Sequence, residues 1–162
     1  MAWLFWTLFV ILLCFGVVLL VGAPYLPTMK KQVQAGLDLL DLKPGQTMLE
    51  LGCGDGKVLI AAAQRGIVCV GYELNPILAA ISWLRTRRFG RRVRVVWGDY
   101  WRTEWPTADG IYAFILPKYM PKLDTKITQL KHNSVRLVSI AFPIDTRKPA
   151  KSTQGLYLYV YK

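Results

Sequence analysis

One segment of the sequence combines an acidic side chain with a glycine loop that could bind a small polar molecule. It reads Glu50-Leu51-Gly52-Cys53-Gly54-Asp55-Gly56. Glycines at Gly52, Gly54 and Gly56 permit a sharp turn and let a ligand approach the backbone closely. The spacing departs from the dinucleotide fingerprint G-x-G-x-x-G, and no Lys-Ser/Thr pair follows as in a phosphate-binding P-loop. Such a loop suits the cationic amino-acid end of a ligand better than a pyrophosphate.

Two further carboxylates follow apolar runs later in the chain. Glu73 ends the run 68–73, where a carboxylate can accept both hydroxyl hydrogens of a ribose. Asp99 comes just after the run 93–97 and could accept a hydrogen bond from an adenine amino group, beside the backbone amide of Tyr100. The alternative is that Glu50, Glu73 and Asp99 are solvated turn residues. Their order along the chain favours a ligand that carries a nucleoside.

The elements around these residues alternate between two types. Strand-like apolar runs occur at 46–51, 68–73, 93–97, 110–116, 135–141 and 155–161, and helix-like segments at 29–42, 57–65, 76–89 and 118–131. Asn75-Pro76 is typical of a helix start, and Ile77, Ile81 and Leu84 are predicted to face inward. The pattern predicts an α/β fold with a Rossmann-like, mainly parallel sheet and helices on both faces. Ligands of such folds bind at the carboxyl ends of the strands.

The N-terminus carries a long apolar run. Trp3 to Gly22 spans 20 consecutive uncharged positions, enough for a helix about 30 Å long, the thickness of the bilayer hydrocarbon core. A cleaved signal peptide is the alternative, but no basic residue precedes the run and it is longer than a signal core. We therefore expect one transmembrane helix at 1–23, a proline-containing linker at 24–28 and a single domain at 29–162. Because Lys30 and Lys31 follow the span, the positive-inside rule places the domain on the cytoplasmic side of the membrane.

The chain has a formal net charge of +11, all of it downstream of the apolar run. Six arginines lie close together: Arg85, Arg87, Arg88, Arg91, Arg92 and Arg94. For an anchored domain their expected use is attraction to anionic lipid headgroups. Nucleic acid and a merely solvated helix end are the alternatives. The three cysteines form no Cys-x-x-Cys pair, so the sequence predicts neither a metal site nor a disulfide framework.

With these motifs, residues 29–162 resemble the class I S-adenosylmethionine-dependent methyltransferases. The loop Glu50–Gly56 is similar to their first motif, which holds the methionine end of the cofactor. Glu73 matches their ribose-binding acid, and Gly98-Asp99-Tyr100 matches their adenine-contacting segment. The resemblance implies S-adenosylmethionine as cofactor and methyl transfer by in-line displacement. It implies cofactor-binding roles for Glu50, Gly52, Gly54, Gly56, Glu73, Asp99 and Tyr100.

A narrower resemblance points to the membrane-anchored protein-lysine methyltransferases that modify the ATP synthase c subunit and the adenine nucleotide translocase. It rests on the apolar N-terminal run, the proline-containing linker, and stretches similar to Gly71–Pro76 and Ile111–Pro117. It implies a lysine acceptor on a membrane or membrane-associated protein.

A lysine must be neutral to attack a methyl group, and an enzyme can achieve this by desolvating and aligning the amine. Aromatic faces would help by attracting the cationic methyl donor. The candidates near the acceptor are Tyr100, Trp101, Phe114 and Tyr119, with Pro117 at the tip of the fourth strand; core packing is the alternative for each. The run Phe114–Pro117 lacks the Asp/Asn-Pro-Pro-Tyr/Phe pattern of DNA base methylases, which makes nucleic acid an unexpected partner.

Three functions are therefore consistent with the sequence. The leading hypothesis is a single-pass membrane methyltransferase that acts on protein lysine. The second keeps the cofactor and changes the acceptor to a lipid headgroup, a quinone-like molecule or a small metabolite. The third is a non-catalytic cofactor-binding module whose arginines dock RNA or membrane.

Overall fold

A computed structural model describes residues 3–9, 29–130 and 134–162. Residues 3–9 are helical, and the Trp6 ring meets the rings of Phe5 and Phe9 edge to face. Within these three ranges, none of the helices has the length and apolar character needed to cross a membrane. The predicted linker 24–28 and most of the predicted span lie outside the described residues.

The described part of the domain contains seven strands, four α-helices and two 3₁₀ turns. The strands are β1 (Thr47–Leu51), β2 (Val68–Glu73), β3 (Val93–Trp97), β4 (Gly110–Ala113), β5 (Val135–Ile140), β6 (Lys151–Thr153) and β7 (Leu156–Tyr161). The helices are α1 (Lys30–Leu40), α2 (Lys57–Gln64), α3 (Pro76–Thr86) and α4 (Met120–Thr128). The 3₁₀ turns are Arg87–Arg92 and Pro117–Tyr119.

All seven strands form one sheet in the order β3-β2-β1-β4-β5-β7-β6. β1 to β5 are parallel, and β7 runs antiparallel to both β5 and β6. The predicted mainly parallel sheet is confirmed. The strand order reverses between β1 and β4, and at such a switch point the adjacent crossovers diverge and leave a crevice at the carboxyl ends of the strands. β6 was not expected from the sequence; it pairs with β7 through a tight turn at Gln154-Gly155, where both residues have positive φ.

The two faces of the sheet are covered differently. On one face, α1, α2 and α3 form what we call the helical layer, and its core includes Leu37, Leu40 and Leu59. On the other face, α4 and the segments 98–109 and 141–150 form what we call the irregular face. Its core contains Trp105, Leu123, Ile127 and Ile144. The expectation of helices on both faces is confirmed, with a single helix on the irregular face within the described residues.

The direction of α1 follows from contacts at its C-terminal end. Arg136, at the start of β5, donates hydrogen bonds to the carbonyl oxygens of Leu40 and Asp41 at 3.0 and 3.1 Å. The C-terminus of α1 therefore lies at the amino ends of the strands. Its first residues, Lys30 and Lys31, consequently lie toward the carboxyl ends of the strands, where ligands of this fold class bind.

The orientation predicted for α3 was wrong. Ile81 and Leu84 are 40% and 52% exposed, and the helix instead buries Leu78, Ala79, Ser82 and Thr86. Apart from Leu78, the inward residues are small or polar, and Ser82 packs so closely on the glycine loop that a β-carbon at Gly56 would lie 2.5 Å from its Oγ. The α-helix also ends earlier than predicted, at Thr86, and passes into a 3₁₀ turn in which Gly90 is non-helical.

Candidate active site

The glycine loop leaves β1 at the switch point and is held against β2. The backbone amides of Gly52 and Cys53 both donate to the carbonyl oxygen of Tyr72, at 3.0 and 2.8 Å. Gly52 has φ +82°, and no heavy atom lies within 4 Å of the position that a β-carbon would occupy there. The loop therefore presents an open, exposed stretch of backbone at Gly52.

Gly56 is enclosed, in contrast to Gly52. It has φ +78° and precedes the first residue of α2, and a β-carbon there would lie 2.5 Å from Ser82 Oγ and 3.2 Å from Ser82 Cα. A left-handed conformation and a close backbone neighbour both require glycine at this position. The glycines predicted that another group approaches this backbone closely, and at Gly56 that group is Ser82 of α3.

Glu73 connects three of the predicted site segments. Its Oε2 accepts a hydrogen bond from the Gly54 amide and its Oε1 accepts one from the Asn75 amide, both at 2.8 Å. Its carbonyl oxygen accepts a hydrogen bond from the Gly98 amide at 2.9 Å. The glycine loop, the end of β2 and the end of β3 are thus joined around one residue, and the strand ends that the sequence singled out lie together.

Glu50 lies behind the glycine loop and is only 5% exposed. Burial, with the nearby charges of Asp55 and Glu73, raises its pKa well above the ordinary value of 4.5, although a backbone hydrogen bond from Leu59 opposes this. Glu50 Oε2 and the Tyr112 hydroxyl are both buried without a hydrogen-bond partner in the described residues. The two residues are register partners on β1 and β4. Glu50 therefore lies beneath the loop, with one oxygen that lacks a donor within the described residues, and its predicted contact with the cofactor stays a prediction.

Asp99 shapes the turn that follows β3. Its Oδ1 accepts a hydrogen bond from the Trp101 amide at 2.8 Å, and its Oδ2 lies 3.5 Å from Arg102 Nε. The carboxylate remains partly exposed. The adjacent Tyr100 is partly buried, and burial together with the Asp99 charge raises the pKa of its hydroxyl. The predicted adenine-contacting role of Asp99 and Tyr100 stays a prediction.

Three of the aromatic residues proposed for the acceptor site form a cluster. The ring centroids of Tyr100 and Trp101 are 4.9 Å apart, and those of Trp101 and Tyr119 are 5.9 Å apart. Two ammonium groups lie over this cluster, Lys122 Nζ at 4.5 Å from the Trp101 ring and Lys118 Nζ at 4.8 Å from the Tyr119 ring. We call Tyr100, Trp101 and Tyr119 the aromatic cluster.

The other two acceptor-site candidates are placed differently. Phe114 stacks on Phe142 with 6.4 Å between ring centroids, and it packs against the core of the helical layer. Pro117 is exposed and begins the 3₁₀ turn that leads to Tyr119.

Lys126 holds the segment after β3 in place, and no feature of the sequence indicated this. Its Nζ donates to the carbonyl oxygens of Tyr100, Trp101 and Thr103 at 3.0 to 3.1 Å and lies 4.8 Å from the Trp105 ring. Burial and the charge of Lys122 lower its pKa. A lysine in the middle of a predicted helix normally lies on the solvated face, so the sequence did not predict its hydrogen bonds to these carbonyl oxygens.

The arginine cluster is divided by the fold. Arg85 donates to the Asp55 carbonyl oxygen at 2.9 Å and pairs with the Asp55 carboxylate, so it belongs to the glycine loop. Arg92 donates to the Ala63 carbonyl oxygen at 3.4 Å. The remaining four arginines, Arg87, Arg88, Arg91 and Arg94, are exposed and form no ion pair within the described residues.

The sheet has the strand order β3-β2-β1-β4-β5-β7-β6 with β7 antiparallel. Its glycine loop lies at the switch point and is joined to the ends of β2 and β3 through hydrogen bonds to Glu73. Together these features define a Rossmann-like methyltransferase fold. Residues 50–151 match the family described as the ANTKMT methyltransferase domain. The chain belongs to this family.

Two relatives and one solved structure illustrate the likeness. The chain is 33% identical over 128 residues to the lysine N-methyltransferase of the ATP synthase c subunit in Xenopus laevis, covering 78% of this chain and 56% of that protein. It is 33% identical over 129 residues to the adenine nucleotide translocase lysine N-methyltransferase of Mus musculus, again covering 78% of this chain and 56% of that protein. The chain thus spans little more than half the length of these relatives. An RNA methyltransferase of Salinibacter ruber, solved with S-adenosyl-L-homocysteine, superposes with a TM-score of 0.76 at 26% identity and covers 84% of this chain and 92% of its own.

Proposed function

We propose that this protein transfers methyl groups from S-adenosylmethionine to lysine side chains of a membrane or membrane-associated protein. The observation that carries the proposal is the set of hydrogen bonds that gathers Gly54, Glu73 and Gly98 at the switch point beside the open backbone of Gly52. The family and the two lysine methyltransferases to which the chain is similar support the acceptor class.

The residues fit the cofactor. The space above Gly52 lets the methionine end approach the backbone, and Glu73, with each carboxylate oxygen already fixed by one amide, keeps lone pairs for ribose hydroxyls. Asp99 and the Tyr100 amide would contact the adenine. When bound, S-adenosylmethionine supplies a methyl group on a positively charged sulfur that a neutral amine can attack.

The aromatic cluster is our proposed acceptor site. Its faces can line a path for a lysine side chain and remove water from the amine. The ammonium groups of Lys118 and Lys122 lie over the Tyr119 and Trp101 rings. Positive charge close to an incoming lysine disfavours its protonated form and so promotes the neutral amine that can attack. The chain's own residues would thus desolvate and align the acceptor, and its proton would pass to water before the amine attacks, without a dedicated general base.

We further propose that the apolar run Trp3 to Gly22 anchors the protein in a membrane, with the domain on the cytoplasmic side. The uncharged length of the run and the first basic residues after it support this. The direction of α1 adds a geometric argument. Because Lys30 and Lys31 lie toward the carboxyl ends of the strands, a short linker would hold the proposed active site close to the bilayer.

The decisive experiment incubates the full chain and labelled cofactor with membranes from cells that lack the gene. We expect label in one or a few proteins and methyl-lysine in the labelled peptide by mass spectrometry. Label in the lipid or metabolite extract, or in RNA, would contradict the lysine acceptor. Measurable cofactor binding without transfer to any fraction would contradict the enzymatic function itself.

A second measurement tests the adenine contact. Asp99→Ala should weaken binding of S-adenosylhomocysteine about tenfold, the loss expected for one hydrogen bond to a charged group. It should also reduce the preference of the protein for the adenine compound over its hypoxanthine analogue. Arg102→Ala is the matched control, since it removes the ion-pair partner and leaves the Asp99 carboxylate in place. Unchanged binding and unchanged preference in Asp99→Ala would refute the assignment.

A further inference from the structure

The outer surface of α3 is unusually apolar. Ile81, Trp83 and Leu84 are 40%, 59% and 52% exposed, and Trp97 at the end of the neighbouring edge strand β3 is 69% exposed. We call these four residues the α3 apolar surface. It arises because the helix turns its small residues toward the glycine loop, which leaves its large apolar side chains on the solvent side. Three of the four lie within four residues of one helix, and exposed apolar patches of this kind are typical of an interaction site.

Positive charge borders this surface, and negative charge is lacking there. The sequence from residue 75 to residue 98 contains no Asp or Glu. Three exposed arginines, which we call the arginine group, follow α3 directly: Arg87, Arg88 and Arg91. Two carboxylates lie on adjoining segments, and both are paired: Asp55 with Arg85, and Asp99, two residues after Trp97, with Arg102. The binding partner of this surface must therefore be anionic as well as apolar.

These two properties distinguish between the possible partners. A second copy of the chain, joined symmetrically through α3, would bring two arginine groups toward each other, and like charges oppose such contact. A nucleic acid would satisfy the arginines and could stack on tryptophan, but it offers nothing to Ile81 and Leu84. The surface of an anionic bilayer satisfies all of them, because tryptophan prefers the interface, aliphatic side chains enter the acyl boundary and arginines reach the headgroups.

We propose that the α3 apolar surface and the arginine group dock directly on the anionic surface of a lipid bilayer. α3 belongs to the same helical layer as α1, with α2 packed between them. The chain before α1 carries the apolar run, so this layer is also the one that a membrane anchor would tether. This docking contact does not depend on which molecule accepts the methyl group, and it can be tested without an activity assay.

The test uses the full chain in nanodiscs of phosphatidylcholine with or without phosphatidylglycerol, each containing a phospholipid brominated near the headgroup. Bromine quenches tryptophan fluorescence on contact. Comparing the protein with Trp83→Phe and Trp97→Phe isolates the signal of these two residues from that of the N-terminal tryptophans. Trp101→Phe is the control, because Trp101 lies in the aromatic cluster on the other face of the sheet. We expect quenching of Trp83 and Trp97 in the anionic nanodiscs, and little in the neutral ones.

A charge comparison completes the design. Replacing Arg87, Arg88 and Arg91 by Gln should abolish this quenching. The same replacement by Gln at Lys148, Lys151 and Lys162, which lie near the opposite edge of the sheet, should preserve it.

Absence of quenching, or equal quenching in both triple variants, overturns the proposal. Protection of Trp83 by added RNA, with an affinity that falls log-linearly with salt, would assign the surface to nucleic acid instead. A dimer that cross-links through α3 in neutral nanodiscs would likewise overturn it.

Discussion

The helical layer and the irregular face cover the same sheet by opposite means. In the helical layer, close packing around glycine positions fixes the structure, as at Gly56 against Ser82. On the irregular face, the segment after β3 has no helix of its own, and side chains such as Lys126 fix it by bonding to backbone carbonyls. The first arrangement makes a rigid support for the glycine loop. The second leaves the side chains near the proposed acceptor site free to vary, since backbone carbonyl groups are present whatever the side chains are.

The two faces also hold an ionisable side chain differently. Glu50 lies beneath the helical layer, where one of its oxygens finds no donor in the part of the chain that the structure describes, and desolvation raises its pKa. Lys126 lies at the irregular face with three carbonyl partners and a lowered pKa. Desolvation thus favours the neutral form at both sites, but the Lys126 ammonium has three hydrogen-bond acceptors while Glu50 Oε2 has no donor within the described residues. Substitutions on each face test this contrast.

The largest effect is expected at the rigid support. Gly56→Ala forces a β-carbon into a left-handed conformation and against the α3 backbone, and it should lower the free energy of unfolding by about 3 kcal/mol. Gly45→Ala is the matched control, because Gly45 has φ +88° with open space around it. It should lose only about 1 kcal/mol. Denaturant titration followed by circular dichroism measures both, and equal losses would show that packing on Ser82 contributes nothing.

An intermediate effect is expected on the irregular face. Lys126→Met leaves three carbonyl oxygens without their donor and should loosen residues 99–105 while the sheet stays intact. We expect about tenfold weaker binding of S-adenosylhomocysteine, comparable to one charge-assisted hydrogen bond, and faster amide exchange confined to that segment. Lys122→Met is the control, since Lys122 contacts the Trp101 ring without bonding to the backbone. Slower or unchanged exchange in Lys126→Met would contradict the proposed role.

The smallest effect concerns Glu50 and depends on pH. A carboxyl group whose pKa is raised in the folded state favours folding below its ordinary pKa of 4.5, and this advantage is lost as pH rises through the folded-state pKa. Glu50→Gln cannot ionise, so its melting temperature relative to wild type should increase as pH rises from about 4.5 toward neutrality. Thermal unfolding at several pH values measures this difference. A constant difference across that range would mean that Glu50 is not held in a neutral-favouring site.

Much of the sheet was predictable because buried parallel strands are apolar throughout. The bounds of β2 and β3 match the runs 68–73 and 93–97 seen in the sequence. β4 ends at Ala113 rather than at residue 116, because the chain turns toward the 3₁₀ turn at Pro117. The three exposed residues of β6 carry no apolar pattern, so pairing with β7 defines that strand and the sequence alone could not.

The candidate site was partly predictable for a similar reason. The carboxylates Glu50, Glu73 and Asp99 lie at the carboxyl ends of three parallel strands, which must meet at one edge of the sheet. The Glu73 hydrogen bonds confirm that these segments adjoin. The partners of Lys126 are backbone carbonyls more than twenty residues away, which no local pattern encodes. The prediction of which α3 residues face inward was wrong because it followed hydrophobicity alone. In the structure, Ser82 faces inward because the helix lies against the glycine loop at Gly56.

α3 and the glycine loop share enough contacts to move as one body. Ser82 lies against Gly56, Arg85 holds Asp55, and the Asn75 amide that precedes the helix binds Glu73. A helix displaced by even a fraction of an ångström would therefore carry with it the groups that surround the proposed cofactor. Thermodynamic linkage then imposes a symmetry. If a ligand bound on the outer side of α3 changes the affinity for the cofactor by some factor, the cofactor changes the affinity for that ligand by the same factor.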